Sequence, residues 1–373
     1  MTRRPLPPLW LRSPSRWAAL PRARARWGLA IVAVLVVASW LALLGPAPPP
    51  VSHDPARRAD DRADVMLYEG IVEGVRHGGR YYAVAADALR EGGYPLRPFV
   101  TFRLPTLARV EALLPRWVTI ALLWTLATGV FAAWAVRLSP AFARMPPRLI
   151  ALALLAGGMM AFVQPELAAF HEIWAGLLVA LSLALRRPGR WIEAAAVALM
   201  AVLIRETAAL YILVMAVLAW AERDRREVAG WAGVLAILAV ALALHAHAVA
   251  QVVRPLDPAS PGWAGMLGFG FFVRTAMAST ALAVFPGVAA APLVALALVG
   301  WASWRDPLAL RVAVTLAVFV LLLALFGRVD TFYWGLMIAP TLLVGLAFVP
   351  DALRDFVAGA RDRRRITVRR RVA

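Results

Sequence analysis

The chain has no cysteine among its 373 residues, which excludes disulfides, thiolate metal sites and a cysteine nucleophile. Lysine is absent as well: all forty basic residues are arginine, so every basic side chain is a permanently charged planar fork. No Gly-rich phosphate loop, nucleophile elbow or metal-ligand spacing occurs. His245 and His247 are two residues apart, a spacing that sends them about 200° apart on a helix and denies them one ion. Nucleotide-dependent chemistry is set aside, and neither a metal nor another cofactor is expected.

Charge is scarce and apolar residues are not. Only 17% of residues are charged while 62% are apolar, with a mean hydropathy of +0.71, values of a polytopic membrane protein. The net charge of +18 is concentrated in flanks. Seven arginines precede residue 27 without an acid, and eight follow residue 350 beside three acids. Anionic membrane lipids are the expected partner of such flanks. No nucleic acid is expected, since no basic domain interleaved with aromatics is present.

Three regions follow: a basic N-terminus over residues 1–27, a transmembrane domain over 28–350, and a basic tail over 351–373. The apolar run from Gly28 to Leu44 reads as an uncleaved first span. Nine further apolar segments make about ten, with a there-and-back hairpin expected over 191–221. Short connections assigned to the inner side carry eleven arginines, against Arg205, Arg254, Arg274 and Arg328 outside. That bias predicts cytoplasmic N- and C-termini in a bacterial-type inner membrane. The fold class expected is an all-α transmembrane helical bundle with a long first outer loop over 46–116.

That loop carries the chemistry. At 100° per residue, a helix from Asp64 to His77 places Tyr68, Ile71, Val72 and Val75 on one face and Glu69, Glu73, Arg76 and His77 on the other. Asp64 falls on the apolar face. A carboxylate there suits a general base or a phosphate-opposing group, though spacing alone favours the cap of its own helix, and Asp60 and Asp61 compete for either role. A second amphipathic helix is expected from Tyr81 to Glu91, stopped by Gly92-Gly93, with Tyr81 and Tyr82 at headgroup depth. The passage YPLRPFVTFRLPTL then runs extended. It offers Arg97 and Arg103 to a lipid phosphate.

Farther on, Gln164, Glu166, His171 and Glu172 gather at one outer turn and Arg205-Glu206 at the next. The stretch GRVDTFYWG brings Arg328, Asp330, Tyr333 and Trp334 together. Ionisable groups at membrane depth usually line a cavity, and self-neutralising pairs explain them equally well. The interval from Arg254 to Arg274 reads as a re-entrant or surface-lying segment, with Trp263, Phe269, Phe271 and Phe272 in need of cover.

The order of first span, long outer loop with two interfacial helices, and then D…YY…A…LR-x-G-x-YP…P…R-x-PTL resembles the GT-C membrane glycosyltransferases, the class of protein mannosyltransferases and lipid A aminoarabinose transferases. The motif covers the first ~110 residues and the rest agrees in topology. The resemblance implies inverting transfer from a lipid-linked sugar donor, a polyprenyl-phosphate sugar, at the outer face, to a glycan, lipid or protein acceptor. A carboxylate would act as base: Asp64, with Glu69 and Glu73 beside it. Arg97, Arg103, Arg205 and Arg328 would hold the donor phosphate, and Tyr81, Tyr82, His171, Glu172, Glu206, Asp330 and Tyr333 would line the cavity. The sequence departs from the family where an acid is usual, since Gly78-Gly79 stands there. The competing class is a non-catalytic transporter or flippase for a lipid-linked saccharide, or a scaffold with the same lipid pocket. No internal repeat of the kind transporters carry is visible.

Overall fold

A computed structural model describes residues 7–46 and 63–361. Asp60, Asp61 and most of the C-terminal tail lie outside the described residues. Those described are helical, joined by turns and by isolated bridges. The helices are α1 (Arg22–Leu41), α2 (Ala63–Arg76), α3 (Tyr81–Glu91), α4 (Thr106–Leu113), α5 (Arg116–Leu138), α6 (Met145–Gly158) and α7 (His171–Leu185). After them come α8 (Ile192–Ile204), α9 (Ala209–Ala221), α10 (Arg225–Ala250), α11 (Gly268–Ala278), α12 (Gly287–Ser303), α13 (Pro307–Phe326) and α14 (Val349–Arg361).

Among the described residues, four helical stretches are long and apolar enough to cross a membrane, beginning at Arg22, Arg116, Arg225 and Pro307, and a bent pair from Val329 to Arg361, counted as one span, raises this to five. Five shorter apolar helices accompany them. Apolar side chains line the outside of the long ones. Trp27, Ile31, Val34 and Trp40 are exposed on α1, Trp117 and Trp124 on α5, and Val240 and Leu244 on α10. Rows of this kind need lipid to cover them.

Local signals set the ends. Asp224 accepts from the Glu227 amide at 3.0 Å to cap α10, and Asp306 accepts from the Leu308 amide at 2.8 Å where Pro307 opens α13. These starts collect at one arginine-rich end, where Arg186 reaches Glu222 at 2.9 Å and Glu227 at 2.7 Å. Arg311 joins Glu222 at 2.7 Å.

The stretch 191–221 departs from this end and returns to it. Trp191, before α8, packs on Gly230 near the start of α10, and Glu222, after α9, meets Arg186 and Arg311. The turn is made without Gly or Pro, by Arg205 in an extended conformation (φ −138, ψ 108). Each limb has 13 residues, hence about 20 Å at ~1.5 Å per residue. Each limb is thus shorter than the ~20 residues that a straight crossing of a ~30 Å hydrocarbon core takes.

Three features of the fold are set by long-range packing. Among the described residues of the two basic flanks, 7–21 and α14 fold together. Asp351 accepts the backbone amides of Leu9, Trp10 and Leu11 at 2.7, 2.9 and 2.9 Å, and Asp355 accepts from Ser15 Oγ at 2.7 Å. One carboxylate thus satisfies three orphan amides and a second takes a hydroxyl, groups that would otherwise be left to water. In the interval from Arg254 to Arg274, Leu256 and Met266 stand exposed at the surface, while Phe271 and Phe272 of α11 take their cover from the main core. The apolar stretch 332–349 is not one straight span but a run of 3-10 turns over Val329–Met337 and Leu343–Phe348, with Ala339–Leu342 between.

That broken run is gripped by glycines. A Cβ on Gly158 or Gly176 would lie 2.5 Å from the carbonyl oxygen of Ala339 or Leu336, and one on Gly300 would overlap the carbonyl of Gly345. Backbone contact of this kind admits no side chain. Gly300→Ala is expected to cost about 1–3 kcal/mol by overpacking, read as a lower unfolding temperature in detergent. Gly129→Ala, where nothing lies within 4 Å, should leave that temperature unchanged or slightly raised. Equal behaviour of the two would refute the glycine grip.

Candidate functional site

Helices α2, α3 and α4 form a small core of their own, from Ile71, Val72, Tyr81, Ala85, Leu89, Leu96 and Phe102. Between it and the main bundle lies a cavity of about 510 Å³. Its wall takes Asp64 and Tyr68 from α2, residues 93–95 and 100–103 from the passage after α3, and Arg205, Glu206 and Thr207 from the tip between α8 and α9. Residues 258–261 with Trp263, and Arg328 with residues 330, 331, 333 and 334, also line it, with Tyr81 and apolar side chains of α2 and α3.

Asp64 is half-buried on the wall, where the face arithmetic placed it. Its Oδ1 accepts from the Tyr94 hydroxyl at 2.7 Å. Burial pushes this carboxyl above its ordinary value, against the opposing effects of the Tyr94 hydrogen bond and of Arg103. Burial likewise raises the Tyr68 and Tyr94 phenols, so both stay neutral donors.

Arg103 is the least satisfied cation of the cavity. Its Nη2 donates to Tyr333 Oη at a long 3.3 Å and stands 3.8 Å from Glu172 Oε1, while Nε finds no partner among the described residues. The Tyr68 and Tyr333 rings flank it at 5.8 and 5.9 Å, a cation–π arrangement. Tyr81, a predicted cavity residue on the wall, fixes the Arg103 backbone by donating to its carbonyl at 2.7 Å.

Two other arginines of the cavity are already neutralised. Arg205 is buried and donates from Nε to Glu172 at 2.5 Å and from Nη1 to Glu206. Arg328 pairs with Asp330 at 2.9 Å and donates to the Gly262 carbonyl at 3.1 Å. Glu172 and His171 sit behind the wall rather than on it, His171 edge-on to Tyr68 with ring centroids 5.1 Å apart.

The remaining predicted residues lie elsewhere. Glu69 pairs with Arg116 at 3.0 Å and Glu73 with Arg76 at 2.5 Å, on the polar face of α2 away from the cavity. The Arg97 guanidinium donates to the Asp257 carbonyl at 2.5 Å and does not line the cavity. It is held there because Leu96 and Ser260 bond across to Pro258 and Arg97, zipping two loops into a roof. Tyr82 turns to His245 at 3.0 Å. His247, by contrast, is exposed.

Gly78-Gly79 is the turn between α2 and α3, off the cavity. Gly78 has φ +90, and a Cβ on Gly79 would lie 2.5 Å from Val84 Cγ2 and 2.8 Å from the Gly74 carbonyl. An acid at this turn would be strained and remote from the site.

Sequence reasoning missed Tyr94 as a partner of Asp64, and it missed the Arg90–Asp257 clamp, bidentate at 2.9 and 2.8 Å, that fixes α3 to the roof. Arg90 holds the Asp257 carboxyl down at about 2. Trp334, grouped with Arg328, Asp330 and Tyr333 by the stretch GRVDTFYWG, does reach the wall, where its buried Nε1 has no partner among the described residues. The Gly92-Gly93 stop before Tyr94 was the one available signal, since such a cap dictates where the next side chain points. Compared with protein-family models, curated proteins and solved structures, the chain matches none.

Proposed function

We propose that the protein is a GT-C-like membrane glycosyltransferase that takes its sugar from a polyprenyl phosphate at the outer face of a bacterial inner membrane. On this reading the ten apolar segments cross or enter the bilayer and both termini are cytoplasmic. One arrangement carries the proposal: a cavity wall that holds a half-buried carboxylate with no arginine ion pair among the described residues, Asp64, and an under-satisfied arginine, Arg103. The acceptor hydroxyl gives its proton to Asp64 as its oxygen bonds to the anomeric carbon. The bond from that carbon to the phosphate oxygen breaks, and its electron pair leaves with the polyprenyl phosphate. Arg103 stabilises the departing phosphate, while Arg205 and Arg328, each already paired, shape the wall.

Purified protein incubated with polyprenyl-phosphate sugars should release the polyprenyl phosphate, and Asp64→Asn should slow that release by about 10²–10⁴-fold. Undiminished turnover in the variant removes Asp64 from the mechanism. The self-neutralised Arg205 and Arg328 favour a second reading, a lipid-saccharide transporter or a non-catalytic scaffold. Tight donor binding without turnover under all acceptors would select it.

A further inference from the structure

We propose that Tyr94 is the residue that positions Asp64, fixing Oδ1 so that the rest of the carboxyl is presented to the cavity. The inference deepens the glycosyl-transfer reading and rests on it for the purpose of the pair, though not for the pair itself. Tyr94 stands thirty residues after Asp64, yet its hydroxyl donates to Oδ1 at 2.7 Å, and both line the cavity. Among the described residues no other hydrogen bond to the Asp64 side chain is present.

The backbone aims the phenol. Helix α3 ends with the Tyr94 amide donating to the Leu89 carbonyl at 2.8 Å and with Gly93 at φ +68, a left-handed cap that only glycine adopts at little cost. Gly92 gives the ring its seat, since a Cβ there would lie 2.7 Å from Tyr94 Cδ2 and Cε2. The Gly-Gly-Tyr sequence thus does more than stop a helix: it places a donor over the carboxylate.

The donor has a definite task in this setting. Asp64 faces Tyr68 on its own helix, Arg103 from the passage after α3, Glu172 from α7, and Asp330 and Tyr333 from the 3-10 run. Burial and the two acids disfavour its charge, and Tyr94 and Arg103 favour it. A hydrogen bond to the charged form is what keeps a carboxylate available as a base in such a place. A base whose other oxygen is free to receive a proton needs one oxygen held.

The test needs no donor. A carbodiimide adds to protonated carboxyl groups, so the pH at which labelling of the Asp64 peptide falls to half reports its ionisation, with Asp64→Asn identifying the signal. Tyr94→Phe keeps the ring over Gly92 and removes the hydroxyl. The midpoint should rise by about one pH unit, a tenfold change in ionised fraction at a given pH. Gly92→Ala keeps the hydroxyl but displaces the ring, and should raise the midpoint in the same direction. A merely structural tyrosine would alter the unfolding temperature and leave the midpoint in place. An unmoved midpoint in both folded variants overturns the proposal, even if the protein turns over a polyprenyl-phosphate sugar. A raised midpoint without turnover upholds the pairing and removes the glycosyl-transfer reading.

Discussion

Arg205→Ala is expected to destabilise the protein by about 3–5 kcal/mol, because it strands two carboxylates that the guanidinium now neutralises. Arg205 is 2% exposed and Glu172 is fully buried. Glu172 loses its partner at 2.5 Å and retains only Arg103 at 3.8 Å, while Glu206 loses its direct ion pair. The measurement is unfolding of the purified protein in detergent. Adding Glu172→Gln to Arg205→Ala should recover part of the loss, since it removes one stranded charge. A mild effect of Arg205→Ala alone, accompanied by loss of donor binding, would instead make Arg205 a phosphate ligand held in reserve.

The other large effect concerns pH and lies outside the cavity. Glu111 of α4 is 5% exposed and its Oε1 has no partner among the described residues. Burial pushes its carboxyl up to about 8 from the ordinary 4.5, with Arg76 opposing. The unfolded chain releases this proton near 4.5 and the folded protein near 8, so the folded state loses stability as pH rises between those values and not beyond. At about 1.4 kcal/mol per pH unit the loss is on the order of 4–5 kcal/mol at most. Glu111→Gln removes the titration and should flatten the fall in unfolding temperature between pH 5 and pH 9. Parallel pH profiles for wild type and variant would show that Glu111 does not carry it.

The local structure of the site was legible where one helix sufficed to define it. Tyr81–Glu91 forms as its amphipathic spacing and its Gly92-Gly93 stop require, and Asp64 lies on the apolar face because 100° steps put it there. Arg103 and Arg97 were indistinguishable by such reasoning. Both follow the same Pro-rich exit, and only the zipper between residues 96–97 and 258–260 turns Arg97 to the roof and leaves Arg103 in the cavity.

What the sequence determined by itself is the all-helical, apolar character of the chain, the arginine-rich flanks, and the two amphipathic helices with a carboxylate on an apolar face. These follow from composition and from periodicity, which act within a few residues of one another. The tertiary structure decided the pairings: Tyr94 with Asp64, Arg205 with Glu172 as well as its neighbour Glu206, and the flanks with each other through Asp351 and Asp355. Each joins groups far apart in the chain except Glu206. Buried polar atoms must find partners wherever packing brings them, and spacing along the chain carries no record of that choice.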